Sequence, residues 1–107
     1  MTTMLRIDAS AQLQDRSLTR RLTQLFTETV LDQAPQTRLI TRDLAQEPVP
    51  LIDHRFIHAA FTPPAEHAPW MAASLALSDQ LIAEVAAADL IVMGVPMYNY
   101  AMPAALK

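Results

Sequence analysis

The chain has 107 residues, 51% apolar and 18% charged, with a formal net charge of −3. That is enough for one small domain, too apolar for disorder, and without the basic excess that neutralises nucleic-acid phosphates. It has no cysteine, which excludes disulfides, thiolate zinc sites and thiol catalysis, and its one glycine, Gly94, excludes every glycine-rich phosphate loop, Walker-type or GxGxxG.

The N-terminal residues 1–10 carry Arg6 and Asp8 inside their only apolar stretch, unlike a signal peptide, and no apolar run is long enough to span a bilayer. A cytoplasmic location is expected. Residues 5–9 alternate and predict a first strand. Residues 10–15 are polar and lack a helical pattern. Ser17 is the natural N-cap of an amphipathic helix in which Leu18, Leu22, Leu25, Phe26 and Val30 share one face, and Pro35 stops that helix near Gln33. Residues 37–44 alternate again and predict a second strand, with Leu39 facing one way and Arg38 and Ile40 the other.

Residues 45–69 hold five of the eight prolines and all three histidines, and predict a long irregular connection with a short helix around 53–59. A connection of that length in a small domain is usually functional. A second long helix is expected over 70–87, with Met71, Leu75, Ser78, Leu81, Ile82 and Val85 on its buried side. Residues 90–95 are continuously apolar and closed by Pro96, which predicts a strand buried on both faces. Strands alternating with helices imply a parallel, doubly wound α/β sheet with right-handed crossovers. Residues 103–107 look like the first turn of another helix. With the naked edge of a three-stranded sheet, this leads to the expectation of a fragment of a larger α/β domain, truncated after its third strand.

Ligands of open parallel sheets bind beyond the carboxyl ends of the strands, at the switch in strand order. In the order 2-1-3, the loops 10–19 and 96–102 are neighbours there. The first offers Ser10, Ser17 and Thr19 around a helix start, with Arg16 or Arg20 as a nearby cation, a set suited to an anion such as phosphate. The same residues also read as a plain cap and turn. The second, Met97-Tyr98-Asn99-Tyr100, offers flat polarizable surfaces and an amide to a planar ring, or an aromatic loop that packs on the next helix.

At these loops the chain resembles the N-terminal half of the FMN-dependent NADH azoreductases, also described as FMN-dependent NADH:quinone oxidoreductases. The resemblance covers nearly all 107 residues. It is carried by Ser10 with Arg16-Ser17-Leu18-Thr19-Arg20 and Leu22, by Arg42-Asp43-Leu44, by the segment 48–53, by Leu77-Ser78-Asp79-Gln80-Leu81-Ile82, and most specifically by Pro96-Met97-Tyr98-Asn99-Tyr100 with Leu106-Lys107. Tyr100 is a mild departure, since the family usually has Phe there.

The resemblance implies a flavodoxin-like fold with FMN as cofactor, residues 1–107 being the N-terminal part of a single FMN-binding domain. Ser10, Ser17, Leu18 and Thr19 would surround the FMN phosphate. Met97, Tyr98, Asn99 and Tyr100 would border the ribityl chain and the isoalloxazine ring. It implies two-electron transfer from NADH or NADPH to quinones or azo compounds with no side-chain acid or base, in a homodimer whose site lies at the subunit interface. The family also closes the ring with a glycine-containing loop after its fourth strand, which no residue here can supply. The alternative is a catalytically incomplete fragment without bound flavin.

Other readings fare worse. His54 and His58 stand four apart, but position 55 is Arg rather than the Glu of a zinc peptidase, so no metal site is expected. Phe56, Phe61 and Trp70 either line a substrate pocket or anchor the long connection. A phospho-acceptor receiver domain would need an Asp where Val95-Pro96 stands, and Ser10 lacks the glycine-flanked elbow of a hydrolytic nucleophile.

Overall fold

A computed structural model describes residues 1–107. The chain forms two compact units, one of Met1–Val49 with Ala87–Lys107 and one of Pro50–Ala86. In the first, strands β1 (Thr3–Asp8), β2 (Arg38–Asp43) and β3 (Leu90–Gly94) form the parallel sheet that the alternation of strands and helices predicts, in the order β2-β1-β3 expected of the flavodoxin-like resemblance. The sixteen-residue helix α1 (Leu18–Gln33) connects β1 to β2 and lies against β1 and β3.

β1 begins two residues earlier than its apolar pattern indicates. Being central, it pairs on both edges: the Thr3 N–H donates to Asp89 Oδ2 at 2.9 Å, the Asp89 N–H returns to the Thr3 carbonyl at 2.8 Å, and the Arg38 N–H reaches the Thr2 carbonyl at 2.9 Å. Met4 and Leu5 are the most deeply buried large apolar side chains. β3 departs from expectation. Its edge position, paired only with β1, is the one the order 2-1-3 gives, but Ile91 and Met93 are 41% and 54% exposed, so it is not buried on both faces.

α1 departs more sharply. Its buried residues are Arg20, Thr23 and Thr27, whereas Leu18, Leu22, Leu25 and Phe26 are exposed. An amphipathic helix ordinarily turns its apolar stripe to the core, but the sheet beneath α1 is charged. Arg6 and Asp8 form a buried ion pair at 2.8 Å, and Arg6 also donates to Gln24 of α1. Arg20 of α1 pairs with Asp43 at the end of β2. Buried charges need partners, and α1 supplies Gln24 to Arg6 and Arg20 to Asp43. Thr23 and Thr27 satisfy their hydroxyls on the carbonyls of Thr19 and Thr23, both at 2.8 Å.

The second unit holds the short helix α2 (His54–Ala60), capped by Asp53 through the Phe56 N–H at 2.9 Å, and most of α3 (Pro69–Ala87). Arg55 lies 5.0 Å over the Trp70 ring, and His58 meets the same ring edge-on at 5.6 Å, so Trp70 ties α2 to the start of α3. Phe61 is 86% exposed and takes no part in this anchoring. On α3, Met71 is buried and Leu75, Ser78 and Leu81 are half-buried, but Ile82 and Val85 are exposed, so the inward face turns away from them over the last two turns. No helix is long and apolar enough to cross a membrane.

Candidate functional site

The carboxyl ends of β1 and β3 lie side by side, with Asp8 opposite Gly94. The loop that leaves β1 runs through Ser10 to a 3-10 turn (Gln14–Arg16) and then to the cap of α1. Ser17 caps the helix as its sequence position predicts: its Oγ accepts the Arg20 N–H at 3.1 Å. Ser17 Oγ also lies 2.9 Å from Ser10 Oγ, which accepts the Gln12 N–H at 3.2 Å. Both serines are almost fully buried.

Two hydroxyls carry two protons, and the bond between them uses one. No acceptor in the chain takes the second. The Leu18 and Thr19 N–H groups, first in the helix, likewise meet no carbonyl or capping oxygen, because Ser17 spends its side chain on Arg20. The loop therefore presents several unspent donors at the positive end of a sixteen-residue helix. Leu18 can contribute only its main-chain N–H to an anion, since its side chain has no donor.

After β3 the chain makes a tight reversal. The Tyr98 and Ala101 backbones exchange hydrogen bonds of 2.8 and 3.0 Å, and the two residues between them, Asn99 and Tyr100, have φ of 51° and 63°. Positive φ at both central positions is what a type I′ hairpin turn requires. Asn tolerates it, whereas an aromatic residue there is strained by about 1–2 kcal/mol. The turn leaves Met97 72% and Tyr100 95% exposed. Tyr98 turns back instead, and its hydroxyl accepts the Ala11 N–H at 3.2 Å. That bond joins the two loops, so the expected site residues Ser10, Ser17, Leu18 and Thr19 share one end of the sheet with Met97, Tyr98, Asn99 and Tyr100.

Three further residues shape this end. Gly94 is required by close approach: a Cβ there would overlap Thr23 Oγ1 and come within 3.1 Å of Thr19 Cγ2. The lone glycine thus lets the first turns of α1 settle on the strand end. Arg20 is 2% exposed and holds Asp43 through two hydrogen bonds, of 2.6 and 2.9 Å, while its Nη2 also donates to the Ser10 carbonyl at 2.7 Å. It is therefore committed to the protein rather than to an external anion, against the expectation that it stands as a free cation. The Arg20 hydrogen bonds, with those from the Ala45 and Gln46 N–H groups, outweigh burial and hold the Asp43 carboxyl at about 2, and the Arg20 guanidinium is raised in return. The sequence signal for this pair was a charged residue at the last position of an otherwise alternating strand.

The comparisons agree with this architecture. The model of the flavodoxin-like fold family matches residues 2–107. FMN-dependent NADH:quinone oxidoreductase 1 of Trichormus variabilis is 44% identical over 104 residues, which cover 97% of this chain and 50% of that protein. FMN-dependent NAD(P)H:quinone oxidoreductase 1 of Pseudomonas aeruginosa is 39% identical, over 100% of this chain and 50% of its own length. The chain thus spans about half the length of the curated relatives it matches. Among solved structures, an azoreductase from Bacillus anthracis superposes with a TM-score of 0.85 at 23% identity, over 99% of this chain and 52% of that one, which supports the fold. With a family match over nearly its whole length, the chain belongs to the flavodoxin-like fold family.

Proposed function

We propose that the protein binds FMN at the carboxyl end of its sheet and serves two-electron transfer from NADH or NADPH to a quinone or azo compound. The observation that carries this reading is the junction of a donor-rich loop, 10–19, with an exposed aromatic turn, 98–101, through the Ala11–Tyr98 hydrogen bond. Relatives named as FMN-dependent quinone oxidoreductases, half of whose length this chain spans, support the same ligand.

The residues present fit the group. The spare hydroxyl proton of Ser10 and Ser17 and the N–H groups of Leu18 and Thr19 suit a phosphate, and the helix end stabilises its charge. Met97, Tyr98, Asn99 and Tyr100 offer apolar and aromatic surface with one amide, which suits the ribityl chain and ring. Bound FMN supplies the redox chemistry; the protein binds and orients it. No side chain acts as a catalytic acid or base in this reading. Residues 1–107 are then the N-terminal part of one FMN-binding domain, in a cytoplasmic homodimer.

Protein purified at its full natural length should carry flavin absorbance or take up added FMN, and should consume NADH or NADPH when a quinone is supplied. A colourless protein that leaves the spectrum of added FMN unchanged overturns the proposal.

A further inference from the structure

The geometry points to Arg20 and Asp43 as a positioning pair that sets the shape of the phosphate-binding loop without touching the phosphate. This inference rests on the FMN reading above and adds to it two residues outside the loop's own hydroxyls and N–H groups.

The connections form a closed circuit. The Asp43 carboxylate is fixed to the turn after β2, where Oδ1 accepts the Ala45 and Gln46 N–H groups at 3.0 and 3.2 Å. Its two oxygens hold the Arg20 guanidinium in a fork at 2.6 and 2.9 Å. The guanidinium in turn holds the Ser10 carbonyl at 2.7 Å. Ser10 Oγ holds Ser17 Oγ, which closes on the Arg20 N–H. One residue thus grips the loop at both ends, through its main chain at Ser17 and its side chain at Ser10. Planar, bidentate geometry is what lets Arg bridge a carboxylate and a carbonyl at once.

Three of the guanidinium's five N–H donors are spent on the protein. Nη1 and Nη2 are engaged, and Nε is buried without a partner. A phosphate at the helix start would be met by main-chain and hydroxyl donors whose spacing depends on Ser10 and Ser17 being held together. Loosening the circuit should therefore weaken phosphate binding while leaving the ring's surface, on the 98–101 turn, in place.

Binding of FMN and of riboflavin, which lacks the phosphate, separates these effects. Both are titrated by flavin fluorescence against full-length wild-type protein, Arg20→Gln, Asp43→Asn and the double variant. The double variant leaves no unpaired buried charge and guards against simple misfolding. Expected is a loss of about tenfold in FMN affinity in each, with riboflavin changed less than about twofold, and a double variant no worse than the singles. Unchanged or tighter FMN binding in Asp43→Asn beside a loss in Arg20→Gln would make Arg20 a direct phosphate ligand and overturn the inference. Equal losses for FMN and riboflavin would reduce the pair to general support of the fold, and also overturn it. A wild-type protein that binds FMN no tighter than riboflavin sinks the phosphate site itself, and this inference with it, before any variant is made.

Discussion

Gly94 is the residue at which composition and geometry meet. A glycine within a strand normally weakens it by about 0.5–1 kcal/mol relative to alanine, so its retention needs a contact that excludes a side chain. Thr23 Oγ1 and Thr19 Cγ2 provide that contact. Gly94→Ala should lower stability by about 2 kcal/mol in chemical denaturation, because overpacked positions cost about 1–3 kcal/mol. Adding Thr23→Ala should recover part of it; no recovery would mean that the helix does not press on the strand end. Asp43 makes a second prediction. Its folded value of about 2 lies below its ordinary 3.8. The stabilisation is therefore complete above about pH 4 and is lost as pH falls through 2, with a size on the order of 2 kcal/mol. Stability followed from pH 5 to 2 should fall less steeply in Asp43→Asn than in wild type. Equal slopes would place the acid sensitivity elsewhere. Neither residue is marked in the sequence by more than a lone glycine and a charge at a strand end, since their roles depend on α1, many residues away.

At the scale of elements, α1 shows what periodicity can and cannot give. Its existence, its Ser17 cap and its end at Gln33 follow from local chemistry and are legible in one segment. Which face turns inward is not local. It is decided by Arg6 and Asp43 on two strands, which engage Gln24 and Arg20 and so turn the face that also carries Thr23 and Thr27 to the sheet. In residues 1–107, Leu22→Ala should therefore cost less than about 1 kcal/mol, whereas a buried leucine costs about 2–5 kcal/mol when so truncated. A loss in the larger range, measured by urea unfolding, would show that the apolar stripe is covered. The same limit explains β3: an apolar run predicts a strand, but whether both of its faces are covered depends on what packs on the sheet, and here Ile91 and Met93 are exposed.

At the scale of the whole molecule, the strand order β2-β1-β3 places the two chemistry-bearing loops together. The alternation of strands and helices made a parallel sheet legible and the family resemblance its order, while the loop composition was readable from the sequence. The hydrogen bond that joins the loops was not readable, because it links Ala11 to Tyr98 across the sheet end, and the strained turn that aims Tyr98 there depends on two consecutive positive φ values. The central claim is that a loop of hydroxyl and main-chain donors and an aromatic turn together hold one phosphorylated flavin. It is tested most directly by titrating FMN into full-length Ser10→Ala, Ser17→Ala, Asn99→Ala and His54→Ala variants. The first three should each bind FMN about tenfold or more weakly, as loss of a hydrogen bond to a charged or buried group implies, and His54→Ala should match wild type. Losses of equal size in all four, or none in the first three, would contradict it.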